Sequence, residues 1–139
     1  MSLLSQTLRE WTANSQTPFN WICVCSDQSV ARQDRTQDDW IEHISELGAP
    51  VTSDPEDIRQ FLQSDDGGVV FCTYQSSPLI AEAQKDPEAA AFDIAFADEA
   101  HRCAGKVSAA FGSILDDFKI RAGKRLFMTA TPRILSSQI

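Results

Sequence analysis

Two adjacent carboxylates, Asp98 and Glu99, end an apolar run that begins at Phe92. Phosphate hydrolysis needs two acids in different roles. One holds Mg²⁺, usually through the metal's retained waters, and the other orients and polarises the attacking water. In open parallel sheets ligands gather beyond the carboxyl ends of the strands, where this pair stands. The alternative is that the acids only open a loop and cap a helix, because helix starts attract acids.

A second apolar run, residues 126–130, ends in hydroxyl groups instead of acids. Thr129 and Thr131 flank Ala130 at its end and precede Pro132. If this strand lies beside the earlier one, the threonine hydroxyls can hydrogen-bond to His101 and link the state of a bound nucleotide to domain movement. The structural alternative is a threonine-rich strand exit before a proline turn.

The elements that must position these residues follow from the alternation of apolar runs and helical patterns. Four runs are typical of buried strands: 21–25, 69–74, 92–97 and 126–130. Helical patterns cover 3–11, 40–47, a segment that starts at 52–56, 77–85 and 107–118. Strands that alternate with helices predict the α/β class, here a three-layer sandwich with a mostly parallel sheet.

Charge is unevenly distributed along the 139 residues, a length that favours one domain. Residues 27–66 carry eleven acids and three bases, a balance of −8 that equals the net charge of the whole chain. The final third is basic, which permits a polyanionic partner without requiring one. No apolar run approaches the roughly 20 residues of a membrane helix, so no membrane partner is expected.

The four cysteines do not have the spacing of a zinc site, because Cys23 and Cys25 lack a second paired cluster and a nearby histidine. Cys23, Cys25 and Cys72 lie in strand-like apolar runs, where a reduced cysteine behaves as a small buried hydrophobe. Reduced thiols predict a cytoplasmic location.

The spacing and order of these motifs resemble the superfamily 2 helicases and translocases. Asp98-Glu99-Ala100-His101 is similar to their motif II, the Walker B tetrapeptide, and Thr129-Ala130-Thr131 to their motif III. The resemblance implies that Asp98 binds Mg²⁺ and that Glu99 activates water. It also implies that His101 couples hydrolysis to movement, together with the motif III residues.

Two further segments resemble motifs on the nucleic-acid side of the same family. Residues 69–76 are similar to motif Ib, which implies that Thr73, Tyr74 and Ser76 contact the nucleic-acid backbone. Residues 3–7 are similar to the tail of motif Ia, which implies contacts from Ser5 and Gln6. Each segment alone is more typical of ordinary helix capping, and the order Ia, Ib, II, III carries the resemblance.

The resemblance implies that residues 1–139 form part of the first RecA-like (P-loop NTPase) domain, with 27–66 as an acidic subfamily insertion. No G-x-x-x-x-G-K-[ST] sequence occurs in the chain, so we expect the P-loop strand upstream of Met1 and a second RecA-like domain downstream of Ile139. ATP and Mg²⁺ are expected cofactors of the parent protein. Neither is expected to bind this chain tightly, and this chain alone is expected not to hydrolyse ATP. The motif variants are most similar to large helicases linked to restriction-modification systems.

Nucleic acid is the partner that the resemblance implies. DNA is expected, although DNA and RNA motors share the DEAH spelling. Without a P-loop strand the sheet should expose an apolar edge, through which a second copy could associate. One rival interpretation keeps the fold and makes it a degenerate ATPase that serves as a protein scaffold. Another is a small α/β hydrolase that uses Asp98 or Glu99 with His101, which the absence of a G-x-S-x-G nucleophile elbow disfavours.

Overall fold

A computed structural model describes residues 3–25, 51–100 and 112–130, and for residues 3–6 it describes the helix without the side chains. The helices are α1 (Leu3–Asn14), α2 (Pro55–Gln63) and α3 (Ser77–Ala83), and short 3₁₀ turns span Tyr74–Ser76 and Ser113–Leu115. The strands are β1 (Trp21–Val24), β2 (Val51–Thr52), β3 (Val69–Cys72), β4 (Phe92–Ala97) and β5 (Ala122–Phe127). Within these ranges no helix is long and apolar enough to cross a membrane.

The described strands form two hydrogen-bonded groups, ordered β2-β1-β3 and β4-β5, and every pairing is parallel. The predicted α/β class with a parallel sheet is confirmed. Trp11 of α1 joins the two groups, because its ring meets Phe71 of β3 and Phe96 of β4 edge-on with 5.9 Å between centroids in each case. A second link runs from the Ala90 amide to the Leu62 carbonyl over 3.2 Å.

Alternating side chains of β1 enter two different core clusters, which fixes the three layers. Cys23 packs with Leu8 of α1 on one side of the sheet, and Val24 packs with Ile58 of α2 on the other. All four side chains are buried. A strand covered on both faces reads as a continuous apolar run, as the sequence does here.

The buried thiols confirm part of the cysteine prediction. Cys23 and Cys25 are buried, Cys72 is half-buried, and all three are thiols. Burial, with a smaller contribution from Cys25, raises the pKa of Cys23 to about 12. Cys103 lies outside the described residues.

Helix α2 begins as the sequence predicts. Asp54 caps it by accepting the Glu56 amide proton over 2.9 Å, and Pro55 takes the first turn, where its missing N–H costs nothing. Ile58 and Leu62 form its buried stripe, with Phe61 packed beside them.

Some predicted elements end earlier than the sequence indicates, each for a local reason. The strand predicted over 69–74 ends at Cys72, because the chain enters a 3₁₀ turn at Tyr74. The helix predicted over 77–85 ends at Ala83, after which the Gln84 side chain donates to the Ala90 carbonyl over 2.9 Å. Of the helix predicted over 107–118, the structure describes residues 112–118. Within them a 3₁₀ turn ends at Leu115, so the predicted helix does not reach Phe118.

The strand predicted over 126–130 is β5, which begins at Ala122 and ends at Phe127. Its register is set by pairing with β4, from Phe92 opposite Ala122 to Ala97 opposite Phe127. The first residues of β5 do not form an apolar run, so the apolar pattern did not identify the start of this strand. The two-residue β2 was not predicted either, since it is a strand only through its pairing with β1. The helical pattern at 40–47 lies outside the described residues.

A reciprocal polar clamp holds the start of β5 against the loop before β4. The Gln84 side-chain oxygen accepts the Arg121 amide proton over 2.7 Å. In return the Arg121 guanidinium donates to three carbonyl oxygens, those of Gln84, Asp86 and Ala89, at 3.2, 3.2 and 2.6 Å. The Arg121 carbonyl then accepts the Phe92 amide proton over 3.0 Å, the first bond of the β4–β5 ladder. The clamp therefore sets the register of the two strands.

Arg125 makes a second set of bonds of the same kind. Its guanidinium donates to the carbonyl oxygens of Ile114 and Ile120 and pairs with Asp117, and only 13% of its side chain is exposed. Arg125 and Arg121, two of the bases that make the final third of the sequence basic, are thus used inside the fold.

Candidate functional site

Strand β4 delivers Asp98 and Glu99 to the carboxyl edge of its sheet. Ala95 is half-buried and Ala97 fully buried in this strand, so its small residues face the packed side. The strand ends at Ala97, Asp98 is exposed, and Glu99 is half-buried. The two acids therefore stand directly after the strand, as the sequence predicts.

The turn after β4 has an unusual backbone. Glu99 has φ 53, the left-handed region, and it is the one non-glycine residue with a positive φ in the described ranges. That conformation costs a side-chain-bearing residue about 1–3 kcal/mol and persists only where neighbours hold it. One such restraint is the Asp98 carboxylate, which accepts the Glu99 amide proton over 2.8 Å.

The β4–β5 ladder continues through this turn. The Met128 amide donates to the Ala97 carbonyl over 2.9 Å, and the Ala100 amide donates to the Met128 carbonyl over 2.8 Å. Thr129 follows immediately and is exposed, as is Ala130. The structure therefore brings the start of motif III beside Asp98 and Glu99. His101 and Thr131 lie outside the described residues, so their coupling contact stays a prediction.

The exit of β3 meets the exit of β4. The Tyr74 hydroxyl donates to the Asp98 carbonyl over 2.5 Å, across 24 positions of sequence. Thr73 is half-exposed, and its hydroxyl donates to that of Ser76 over 3.1 Å. Ser76 is completely buried, so in this conformation its hydroxyl does not reach the surface. Nucleic-acid contacts of this turn stay a prediction, best suited to Thr73.

Ser5 and Gln6 lie in the first turns of α1. This helix packs through Leu8 on the face of the sheet that holds Cys23 and Phe71. The contact of Ser5 and Gln6 with nucleic acid stays a prediction.

The donor set after β4 suits a magnesium ion. Mg²⁺ prefers oxygen ligands and is usually held by one or two carboxylates, together with waters and substrate phosphates. Asp98 offers such a carboxylate at the surface, and the bond from the Glu99 amide does not exhaust its capacity of about four acceptor sites. The described residues contain no group of three or more metal-ligating side chains, the arrangement expected of a tightly bound structural metal.

An open depression on the molecule does not coincide with these residues. Its lining includes Glu10, Trp11, Pro18 and Val69, the residue at which β3 begins. Asp98 lies beside the opposite, carboxyl end of that strand, so the depression is not part of the candidate site.

Sequence reasoning missed two contacts that hold the site. The Tyr74–Asp98 bond and the Gln84–Arg121 clamp join residues 24 and 37 positions apart. Neither pair has a characteristic spacing, so no pattern in one sequence identifies them.

Comparison with known proteins identifies relatives that align with nearly the whole chain. "Probable helicase A859L" of African swine fever virus is 32% identical over 136 residues in isolate Tick/Malawi/Lil 20-1/1983 and 34% identical in isolate Pig/Kenya/KEN-50/1950. Each alignment covers 96% of this chain and 13% of the relative. The chain therefore spans only a small part of the curated relatives that it matches.

A solved structure is similar over almost the whole chain. It is that of a nuclease-deletion mutant of the Type ISP restriction-modification enzyme LlaGI in complex with a DNA substrate mimic. The TM-score is 0.70 at 33% sequence identity, over 98% of this chain and 11% of that chain. The predicted RecA-like fold and the resemblance to superfamily 2 helicases linked to restriction-modification are confirmed.

The family match extends over nearly all of the sequence. The family described as "Type III restriction enzyme, res subunit" matches residues 1–134, which include the described strand exits and both acids. This chain belongs to that family.

Proposed function

We propose that this chain is the central part of the ATP-binding motor domain of a DNA-dependent helicase or translocase and acts within a longer parent protein. The observation that carries the proposal is the meeting of three strand exits. At the exit of β5, the backbone of Met128, which precedes Thr129, bonds to Ala97 and Ala100 on either side of the two acids. The Tyr74 hydroxyl, in the turn after β3, donates to the Asp98 carbonyl. Membership of the restriction-enzyme family and the similarity to a helicase support the same assignment.

In this proposal the two acids divide the work. Asp98 holds Mg²⁺ through its exposed carboxylate, and the metal supplies charge neutralisation on the phosphates when bound. Glu99 orients the attacking water and accepts its proton. The left-handed turn at Glu99 sets its side chain apart from the direction of the strand, so that adjacent residues serve two roles.

The remaining expectations belong to the same proposal. The chain contains no P-loop sequence, so we expect it to be inactive alone and to need one supplied by the parent protein. DNA is the proposed track, supported by the DNA substrate mimic bound to the similar restriction-modification enzyme. The buried thiols favour a cytoplasmic location.

The test is the ATPase activity of the full-length parent protein, with and without DNA or RNA, beside its Glu99→Gln variant. The variant should still bind ATP, whereas kcat should fall at least about 100-fold, as for loss of a general base. Asp93→Asn is a matched control, because it removes an exposed acid from the same strand. It should keep near-normal activity.

Two outcomes would contradict the proposal. No hydrolysis by a folded parent protein under any condition would favour the degenerate scaffold. Normal activity of Glu99→Gln would remove Glu99 from the mechanism. Stimulation by RNA instead of DNA would preserve the motor and change its track.

A further inference from the structure

One peptide group in the candidate site is held at both of its polar atoms. It is the peptide between Asp98 and Glu99. Its carbonyl oxygen accepts the Tyr74 hydroxyl proton over 2.5 Å, and its N–H donates to the Asp98 carboxylate over 2.8 Å. A peptide group is rigid, so fixing both atoms fixes the plane from which the Glu99 side chain departs.

This restraint acts where the backbone would otherwise relax. Glu99 has φ 53, a conformation that residues with a side chain rarely adopt. The bond from Asp98 is local and turns with the peptide. The bond from Tyr74 comes from the turn after β3, so of these two bonds it is the one that ties the peptide to the other group of strands.

Tyr74 is itself rigidly placed. It opens the 3₁₀ turn after β3, and its carbonyl accepts the Ser77 hydroxyl proton over 2.8 Å. Ser77 and Ser76 are both buried beneath it, and Ser76 also accepts the Thr73 hydroxyl proton. These bonds fix the backbone of Tyr74 in the turn, and its hydroxyl links that turn to the Asp98 carbonyl.

We propose that Tyr74 is a positioning residue that sets the orientation of Glu99 and transmits displacement of the turn after β3 to it. The proposal rests on the proposed function, in which Glu99 activates water, and on the predicted nucleic-acid contacts of that turn. It gives Tyr74 an inward role, different from the nucleic-acid contact that the sequence predicts.

The test is Tyr74→Phe in the full-length parent protein, which removes one hydroxyl and keeps the ring. At saturating ATP and DNA, kcat should fall about three- to tenfold, the range that loss of one hydrogen bond corresponds to. KM for ATP and Kd for DNA should each change less than about twofold, since the interaction acts on the chemical step. Deuterium uptake of the peptide covering residues 92–100 should rise, because the turn is less restrained.

Thr52→Val is the matched control. It removes another inter-residue hydroxyl bond, from Thr52 to the Asp57 carboxylate over 2.6 Å, at the end of β2. Strand β1 separates β2 from β3, so this bond is remote from Glu99. The control should lower Tm without lowering kcat, whereas a structural role for Tyr74 would make the two variants behave alike.

Each other outcome overturns the inference. A raised Kd for DNA with normal kcat at saturation would make Tyr74 a nucleic-acid contact. Unchanged kcat, or unchanged uptake by the 92–100 peptide, would show that Tyr74 does not hold the turn. Because the uptake measurement needs no hydrolysis, it decides the inference even if the parent protein proves not to be an ATPase.

Discussion

The β1–β3 region and the β4–β5 pair are stabilised in different ways. In the first, β1 buries alternate side chains on both faces of the sheet, and Val24 and Ile58 are fully buried. In the second, the apolar side chains are left partly uncovered, with Ile94, Phe96 and Leu126 each more than 40% exposed. Apolar burial therefore stabilises the first region far more than the second.

Directional bonds hold the second region instead. The Gln84–Arg121 clamp sets the start of β5, Arg125 binds the carbonyls of the preceding turn, and Tyr74 ties the exit of β4 to that of β3. Hydrogen bonds fix geometry more sharply than apolar contact does, although each contributes less net stability. Directional bonds therefore position the strands that lead to the acids more than side-chain packing does.

The largest expected effect follows from truncating the core of the first region. Ile58→Ala should reduce the free energy of unfolding by about 2–5 kcal/mol, because it leaves a cavity between α2 and the sheet. Urea denaturation measures this loss. Ile58→Val is the matched control and should cost about 0.5–1.5 kcal/mol. A loss below that of the control would mean that α2 does not cover the core.

An intermediate effect is expected from the clamp. Arg121→Ala should cost about 1–3 kcal/mol, since three carbonyl groups lose their donor. The effect should be local: deuterium uptake should rise in the peptide covering β4 more than in one covering β1.

Lys124→Gln is the control for Arg121→Ala, because it removes a charge from an exposed position in β5, the strand that Arg121 precedes. It should change neither uptake nor stability appreciably. Equal uptake in the β4 and β1 peptides of Arg121→Ala would show that the two regions unfold as one unit.

The smallest effect on stability is expected at the uncovered face. Leu126→Gln should change the free energy of unfolding by no more than about 0.5 kcal/mol, as for most surface positions. It should nevertheless reduce self-association of the isolated chain at high concentration, measured by analytical ultracentrifugation, if a second copy covers this face.

Phe118→Gln is the comparison variant, since Phe118 is 99% exposed and lies outside the β4–β5 ladder. Self-association through β4 and β5 would be contradicted if only Phe118→Gln lost association. It would also be contradicted if the isolated chain without substitutions were monomeric at every concentration.

The fold could be predicted from the sequence where apolar runs and helix caps mark an element. It could be predicted less well where pairing with another strand sets the bounds of an element. Strand β4 was predicted at its observed bounds because its residues are apolar except for Asp93 and two acids follow directly. Strand β5 was predicted four residues late, because its first four residues include the charged Lys124 and Arg125. Strand β2 was missed, because its two residues carry no pattern of their own.

The site could be predicted as a set of residues but not as a geometry. Asp98 and Glu99 follow from a strand that ends in two acids, and Thr129 from a second strand with a hydroxyl exit. The left-handed turn at Glu99 and its bond to Tyr74 depend on how β3 and β4 are placed in space. The use of Arg121 and Arg125 inside the fold likewise shows that a basic segment need not be a basic surface.

The thiols of β1 have a consequence for the redox and labelling chemistry of the chain. Cys23 and Cys25 are buried, and the pKa of Cys23 is raised to about 12, so its reactive thiolate form is very scarce at neutral pH. Alkylation, oxidation and disulfide exchange at Cys23 all require the sheet to open and expose this thiol to solvent. The rate of its modification therefore records how often the β1–β3 sheet opens.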